Sequence, residues 1–283
     1  MITEIAYAKI NLTLSVGKKR PDGYHTIDSV MHSISLCDTI TLKKADAISL
    51  SITDGEAPKG KENLMVRAAE LFFQKTGLAD GVALTLEKRI PSEAGMGGGS
   101  SDAAAVFRGL QRLYDVPVSR ETLAAWSASL GADIPFCVFG GAARCQGIGD
   151  IVSPLSPWAT LPLVIVRPNV SVSTGKAYAE LDCLAAKPKN TTPACLQAVQ
   201  DRNKEALTAA LSNDFEAGLF PLEPILQDTS TYLKSLARPA LMTGSGSAFF
   251  VLAHDEADRQ ALRTHIAADY PDWFVAEAKT VSD

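Results

Sequence analysis

The sequence predicts an α+β fold in two parts, and three observations carry that prediction. Several short stretches alternate apolar and polar residues, others place apolar residues at helical spacing, and Pro154, Pro157 and Pro162 cluster near the middle of the chain. Alternation with a period of two marks a half-buried strand, whereas a helix repeats about every 3.6 residues. Strands and helices mixed in this way suit a sheet covered by helices. A chain of 283 residues suits one large or two modest domains. The prolines around 153–161 are the expected boundary, dividing the chain into 1–155 and 156–283.

Each element follows from its pattern. Ile10, Leu12, Leu14 and Val16 alternate with Lys9, Asn11, Thr13 and Ser15. This predicts a strand with the four apolar residues on one face and Lys9 and Asn11 on the other. Pro21, Asp22 and Gly23 signal a turn. Strands are expected at 34–42 and 48–52, a helix at 63–74 with Gly77 beyond its end, and a strand through Val82, Leu84 and Leu86. Helices are expected at 102–114 and 120–130, the second capped by Ser119 and stopped by Gly131. Residues 136–139 form a short apolar run ended by Gly140 and Gly141. The second half predicts strands at 163–166, on either side of 243–247 and at 273–276, and helices at 175–181, 205–211, 224–236 and 257–268.

Composition bounds the function. Hydrophobic residues at 46% and charged residues at 21% are ordinary for a soluble globular protein. The net charge of −5 argues against a broad nucleic-acid surface, although a local site can oppose the global sign. Cys37, Cys137, Cys145, Cys183 and Cys195 are scattered, with no C-x-x-C pair. They read as buried reduced thiols rather than a disulfide framework or a zinc site. Glu4 and Lys9 interrupt the first apolar stretch, and no apolar run approaches the ~18–20 residues of a membrane span. The cytoplasm is the expected compartment, with neither membrane nor nucleic acid as a partner.

One segment carries chemistry. Pro91, Ser92, Glu93, Ala94, Gly95, Met96, Gly97, Gly98, Gly99, Ser100 and Ser101 join a strand to a helix. Glycine permits φ > 0 and lets a ligand approach the backbone, and Gly98 is expected to use that freedom. Unpaired N–H groups and the dipole make a helix start attractive to phosphates. The pattern G-x-x-x-x-G-K-[ST] is absent, and so are the H-R-D loop of protein kinases and G-x-S-x-G of hydrolases. A dinucleotide fingerprint nearly fits, but Asp115 follows a helix rather than a second strand.

The loop and the following Asp102, Ala103 and Ala104 resemble the phosphate loop of the galactokinase, homoserine kinase, mevalonate kinase and phosphomevalonate kinase superfamily. Thr243, Gly244, Ser245, Gly246 and Ser247 resemble its C-terminal glycine motif. Ala8 to Leu12, Arg20 to His25 and Gly131 to Phe136 resemble the branch that acts on a cytidine diphosphate-linked methylerythritol. The resemblance spans residues 8–247. It implies ATP and Mg²⁺, transfer to the 2-hydroxyl of that substrate, a ribosomal S5 domain 2-like N-terminal domain, a ferredoxin-like C-terminal domain and an active site between them. It also implies a monomer or weak homodimer.

By pattern alone, Asp133 reads as a helix cap or turn residue and Lys9 as a solvated strand lysine. The resemblance makes Asp133 the catalytic base and Lys9 its partner. It makes Tyr24, His25 and Tyr178 the cytidine site, with Asn11 and Thr174 holding polar groups of the substrate. Met31 stands where some relatives carry an aromatic. Lys18, Lys19 and Arg20 read as a solvated loop, and Ser101 is a candidate magnesium ligand. Two other readings remain open at this point: a sibling kinase for homoserine or mevalonate, and a non-catalytic binding protein of the same fold.

Overall fold

A computed structural model describes residues 1–156, 160–184 and 188–282, so Pro157 of the proline cluster lies outside the described residues. The first sheet contains β1 (Ile2–Lys19), β2 (His25–Ala45), β3 (Ser49–Asp54), β4 (Gly81–Glu87), β5 (Ala142–Gln146) and β6 (Ile151–Pro154). Its main path runs β3-β4-β2-β1, while β5 pairs the start of β2 and β6 pairs β5. Helices α1 (Leu64–Thr76), α2 (Gly98–Leu113), α3 (Arg120–Ser127) and α4 (Ile134–Phe139) belong to this half. Asn63 caps α1 by accepting the Met65 N–H, and Gly77 ends it at φ 73°. Ser119 caps α3 by accepting the Thr122 N–H. That helix stops at Ser127 rather than near Gly131, because the Leu130 N–H bonds back to Ser127 in a tighter turn. The apolar run at 136–139 belongs to the helix α4, ended by Gly140 at φ 69°.

The second half supplies β7 (Pro162–Arg167), α5 (Thr174–Asp182), α6 (Thr192–Gln200), α7 (Lys204–Ala210), β8 (Ser212–Asn213), α8 (Asp214–Leu219), α9 (Pro224–Ser235), β9 (Ala240–Met242), β10 (Phe249–Leu252), α10 (Glu256–Asp269) and β11 (Phe274–Lys279). Its sheet has the order β11-β7-β10-β9, all antiparallel, which is the ferredoxin-like arrangement expected. Strand β8 leaves that half and pairs in parallel with β1, and Ile34 bridges to Thr280, so the halves are stitched together at the sheet level.

Strand β1 corrects the sequence reading. Its apolar residues do not share one face. Ala6, Leu14 and Val16 join the core beneath α1 and α2, whereas Ala8, Ile10 and Leu12 join the core shared with Leu163, Ile165 and Phe250 of the second sheet. The cause is two register shifts against β2, between Tyr7 and Lys9 and between Asn11 and Thr13. Each bulge turns the following residues to the opposite face. Between the two bulges, Lys9 and Asn11 therefore point where Ala6 and Leu14 point. Both are buried, at 3% and 1% exposure, so this is no solvated polar face.

Candidate active site

The cleft between the halves has a volume of about 720 Å³, within the range of small-molecule sites. One wall is the glycine-rich loop. Gly97 precedes α2 in the left-handed region, at φ 67°, and no side chain caps the helix. The first-turn N–H groups of α2 are thus left for a ligand, which makes an anion site of backbone alone. A Cβ on Gly97 would approach Lys9 Cγ to 3.2 Å. Gly98 does not have positive φ, contrary to expectation. It is already helical, and its Cβ position lies 3.0 Å from Ile90 Cγ2 and Lys88 Nζ, on the protein side rather than toward a phosphate.

The two glycine motifs meet back to back. A Cβ on Gly95 would overlap the Thr243 carbonyl, and one on Gly244 would come within 2.5 Å of the Gly95 carbonyl. The Ala248 N–H donates to the Ala94 carbonyl at 3.2 Å, and the Lys9 N–H to the Met96 carbonyl at 3.0 Å. Ser101 faces away from the cleft, because its place on the first turn of α2 turns its Oγ to donate to the Tyr7 carbonyl at 2.7 Å. Ser100, one residue earlier, lines the cleft.

At the cleft floor Lys9 Nζ lies 3.6 Å from Asp133 Oδ2 and donates to Asn11 Oδ1 at 2.7 Å. Asp133 occupies the N-cap position of α4, as its pattern allowed, yet its side chain caps nothing and stays a third exposed toward the cleft. The carboxylate is directed at Lys9 instead of the helix. Asn11 also lines the cleft. Its Oδ1 also accepts the Gly244 N–H at 3.0 Å, and its Nδ2 donates one of its two hydrogens to Ser29 at 2.9 Å. Asn11 locks Lys9 to the second glycine motif.

At the far end, Tyr24 and Tyr178 line the cleft, and Tyr24 is 60% exposed. His25 is buried behind them, its ring stacked on Tyr178 at 4.9 Å, and Phe215 meets Tyr178 edge-on. Burial pushes the Tyr178 hydroxyl up to about 12, so it remains a protonated donor. Thr174 begins α5 and shares a hydrogen bond with Ser245 at 2.9 Å. Met31 is buried and lines the cleft. Lys19 and Arg20 are not free of partners: Lys19 pairs with Asp182 at 3.3 Å and Arg20 with Asp22 at 2.8 Å.

Sequence reasoning missed a buried triad beneath the glycine loop. Lys88 Nζ pairs with Asp38 and, at 2.7 Å, with Asp102 Oδ2. Among the described residues Asp102 Oδ1 has no hydrogen-bond partner although it is buried, and Asp102 lines the cleft. Burial pushes the Asp102 carboxyl up to about 7, with Lys88 opposing and Asp38 reinforcing the rise. The signal available in the sequence was a lone charge just before the run Ala103, Ala104 and Ala105. Buried thiols were expected, and Cys137, Cys145 and Cys195 are buried and free, but Cys183 is exposed. Among the described residues, no helix is long and apolar enough to cross a membrane.

Comparison with known proteins decides the family. Residues 63–141 match the GHMP kinases N terminal domain. The chain is 38% identical to the 4-diphosphocytidyl-2-C-methyl-D-erythritol kinase of Macrococcus caseolyticus over 264 residues, covering 92% of this chain and 93% of that one. It is 36% identical to that of Geobacter metallireducens, covering 99% of both. The chain belongs to this kinase family. A crystal structure of 4-(cytidine 5'-diphospho)-2C-methyl-D-erythritol kinase superposes with a TM-score of 0.84 at 33% identity over 100% of both chains. Homoserine kinase from Cytophaga hutchinsonii gives 0.77 at 16% identity, covering 99% of this chain and 94% of that one, and so shares the fold alone. The two-domain kinase architecture expected from the sequence is therefore present.

Proposed function

We propose that this chain transfers the γ-phosphoryl group of ATP to the 2-hydroxyl of 4-(cytidine 5'-diphospho)-2-C-methyl-D-erythritol, a step of non-mevalonate isoprenoid precursor biosynthesis. The observation that carries this reading is the placement of Lys9 and Asp133, 3.6 Å apart, in the cleft that holds both the uncapped start of α2 and Tyr24 and Tyr178. Phosphoryl transfer needs positioning and charge stabilisation more than covalent help. The α2 N–H groups hold the nucleotide phosphates, with Lys88 beneath them. Asp133 takes the proton of the substrate hydroxyl as the new O–P bond forms and the bond to ADP breaks. Lys9 steadies the oxygen as charge develops on it.

Magnesium, when bound with the nucleotide, neutralises phosphate charge. It asks for few protein oxygens and keeps several waters. The cleft suits that demand: it offers the Ser100 hydroxyl and the Asp133 carboxylate, and no cluster of three acidic, histidine or cysteine ligands occurs among the described residues. We place the domain boundary at 155/156, between the last strand of the first sheet and β7.

The test is ATP consumption by the purified protein with the cytidine-linked substrate, homoserine and mevalonate in parallel. Turnover of the first alone supports the assignment. Turnover of another would make this a sibling kinase, and turnover of none a binding protein.

A further inference from the structure

Strand β9 lies at the edge of the second sheet, where backbone N–H and C=O groups on one side have no strand to pair with. At Met242 two side chains of the 213–216 segment take that place. Glu216 Oε1 accepts the Met242 N–H at 2.9 Å, and Asn213 Nδ2 donates to the Met242 carbonyl at 2.8 Å. The second hydrogen of the same Nδ2 goes to the Gly244 carbonyl, also at 2.8 Å. Asn213 Oδ1 caps α8 by accepting the Phe215 N–H at 3.1 Å. The side chain is buried, and its place is fixed from the first half of the molecule. Strand β8 pairs in parallel with β1, Asn213 opposite Leu14, and Asp214 Oδ2 accepts the Val16 N–H at 2.7 Å.

The two carbonyls that Asn213 holds bracket the peptide between Thr243 and Gly244. With both flanking peptide planes pinned, the middle one has little freedom to turn, because only φ and ψ separate rigid planes. Its N–H, that of Gly244, is the group that Asn11 Oδ1 accepts at 3.0 Å, and the same Oδ1 accepts from Lys9 Nζ at 2.7 Å. We propose that Asn213 is a positioning residue for phosphoryl transfer: it holds the Gly244 N–H on Asn11 and, through Asn11, the Lys9 ammonium 3.6 Å from Asp133. This rests on the kinase activity and the roles of Lys9 and Asp133 proposed above. Asn213 is not one of the residues lining the cleft, so it acts on the reaction only through this chain of bonds. Displacing a catalytic group by about 1 Å can lower a rate about 10²-fold.

Two substitutions separate this role from the helix cap. Asn213→Asp keeps an oxygen for the Phe215 N–H but sets another against both carbonyls, and Asn213→Ser keeps a capping oxygen and leaves the carbonyls unpaired. Asn213→Ser decides if oxygen crowding keeps Asn213→Asp from folding. Steady-state kinetics with ATP and the cytidine-linked substrate should show kcat lowered about ten- to a hundredfold in the folded variants, with both KM values within about threefold of wild type. In an Asn11→Ala background, Asn213→Ser should lower kcat by less than about twofold further, because the link it supports is already cut. Amide hydrogen exchange followed by NMR should find the Gly244 N–H exchanging about tenfold faster or more in Asn213→Ser than in wild type. An unchanged kcat in a folded variant would overturn the proposal, and so would losses from Asn213→Ser and Asn11→Ala that simply multiply. A wild type that fails to turn over the cytidine-linked substrate defeats the activity assignment instead. The exchange rates still decide whether Asn213 holds the glycine motif, and equal Gly244 exchange in wild type and variant would overturn the proposal.

Discussion

The glycine-loop end of the cleft is one stretch of chain, residues 91–101 leading into α2, whereas the opposite end gathers Tyr24 from the first hairpin and Tyr178 from α5, with His25 buried behind them and held to Asp182, 157 residues away. The first end presents backbone N–H groups, which every residue but proline has, and as a phosphate site it would need only glycines and a helix start. The second uses side chains, whose meeting depends on how the halves pack. A backbone site is therefore written locally, and a side-chain site is written only in the fold.

The largest effect should fall where the two ends join. Asp133→Asn should lower kcat by about 10²–10⁴-fold while both ligands still bind, because a proton acceptor works in the transition state. An unchanged kcat in the folded variant would remove Asp133 from the chemistry. At the side-chain end, Tyr24→Ala should weaken the cytidine-linked substrate about ten- to a hundredfold, since stacking a base on an aromatic ring is worth about 1–3 kcal/mol. Calorimetry with ATP should find its affinity unaltered. Equal losses for both ligands would erase the distinction between the ends.

At the backbone end, Gly97→Ala forces a side chain into the left-handed region, at a cost of about 1–2 kcal/mol, and presses its Cβ on Lys9. ATP affinity should fall roughly tenfold, with cytidine-substrate affinity retained. Retained ATP affinity would move the phosphates away from α2.

The smallest effect concerns the triad. A carboxyl raised to about 7 in the folded state keeps its proton there, while in the unfolded chain it ionises near about 3.9. Between those values the folded state binds more protons, so stability falls as pH rises through the window. Asp102→Asn has no proton to lose, and the drop in Tm between pH 5 and pH 8 should shrink. An equally steep drop in the variant would assign the slope to other groups.

Regular elements with strong periodicity were legible, among them α1, α2, α9 and α10. Helices α6 and α8 and strands β5 and β6 were not. β5, Ala142–Gln146, has little intrinsic strand character and forms because the start of β2 offers it a partner. The resemblance placed Lys9 and Asp133 together, and Asp133 pointing away from its own helix is what gives that pairing its geometry.

By itself the sequence determined the glycine-rich strand-to-helix loop and the order of most elements, because helix starts and periodicity are local properties of the chain, and its motifs, by resemblance, pointed to the kinase family. Tertiary structure decided which way Lys9 faces, that Asn11 ties Lys9 to the second glycine motif, and that Lys88 lies under the loop between Asp38 and Asp102. Two register shifts between β1 and β2 and the back-to-back approach of Gly95 and Gly244 produce those arrangements. They arise from pairing between distant strands, whose register no single stretch of sequence contains.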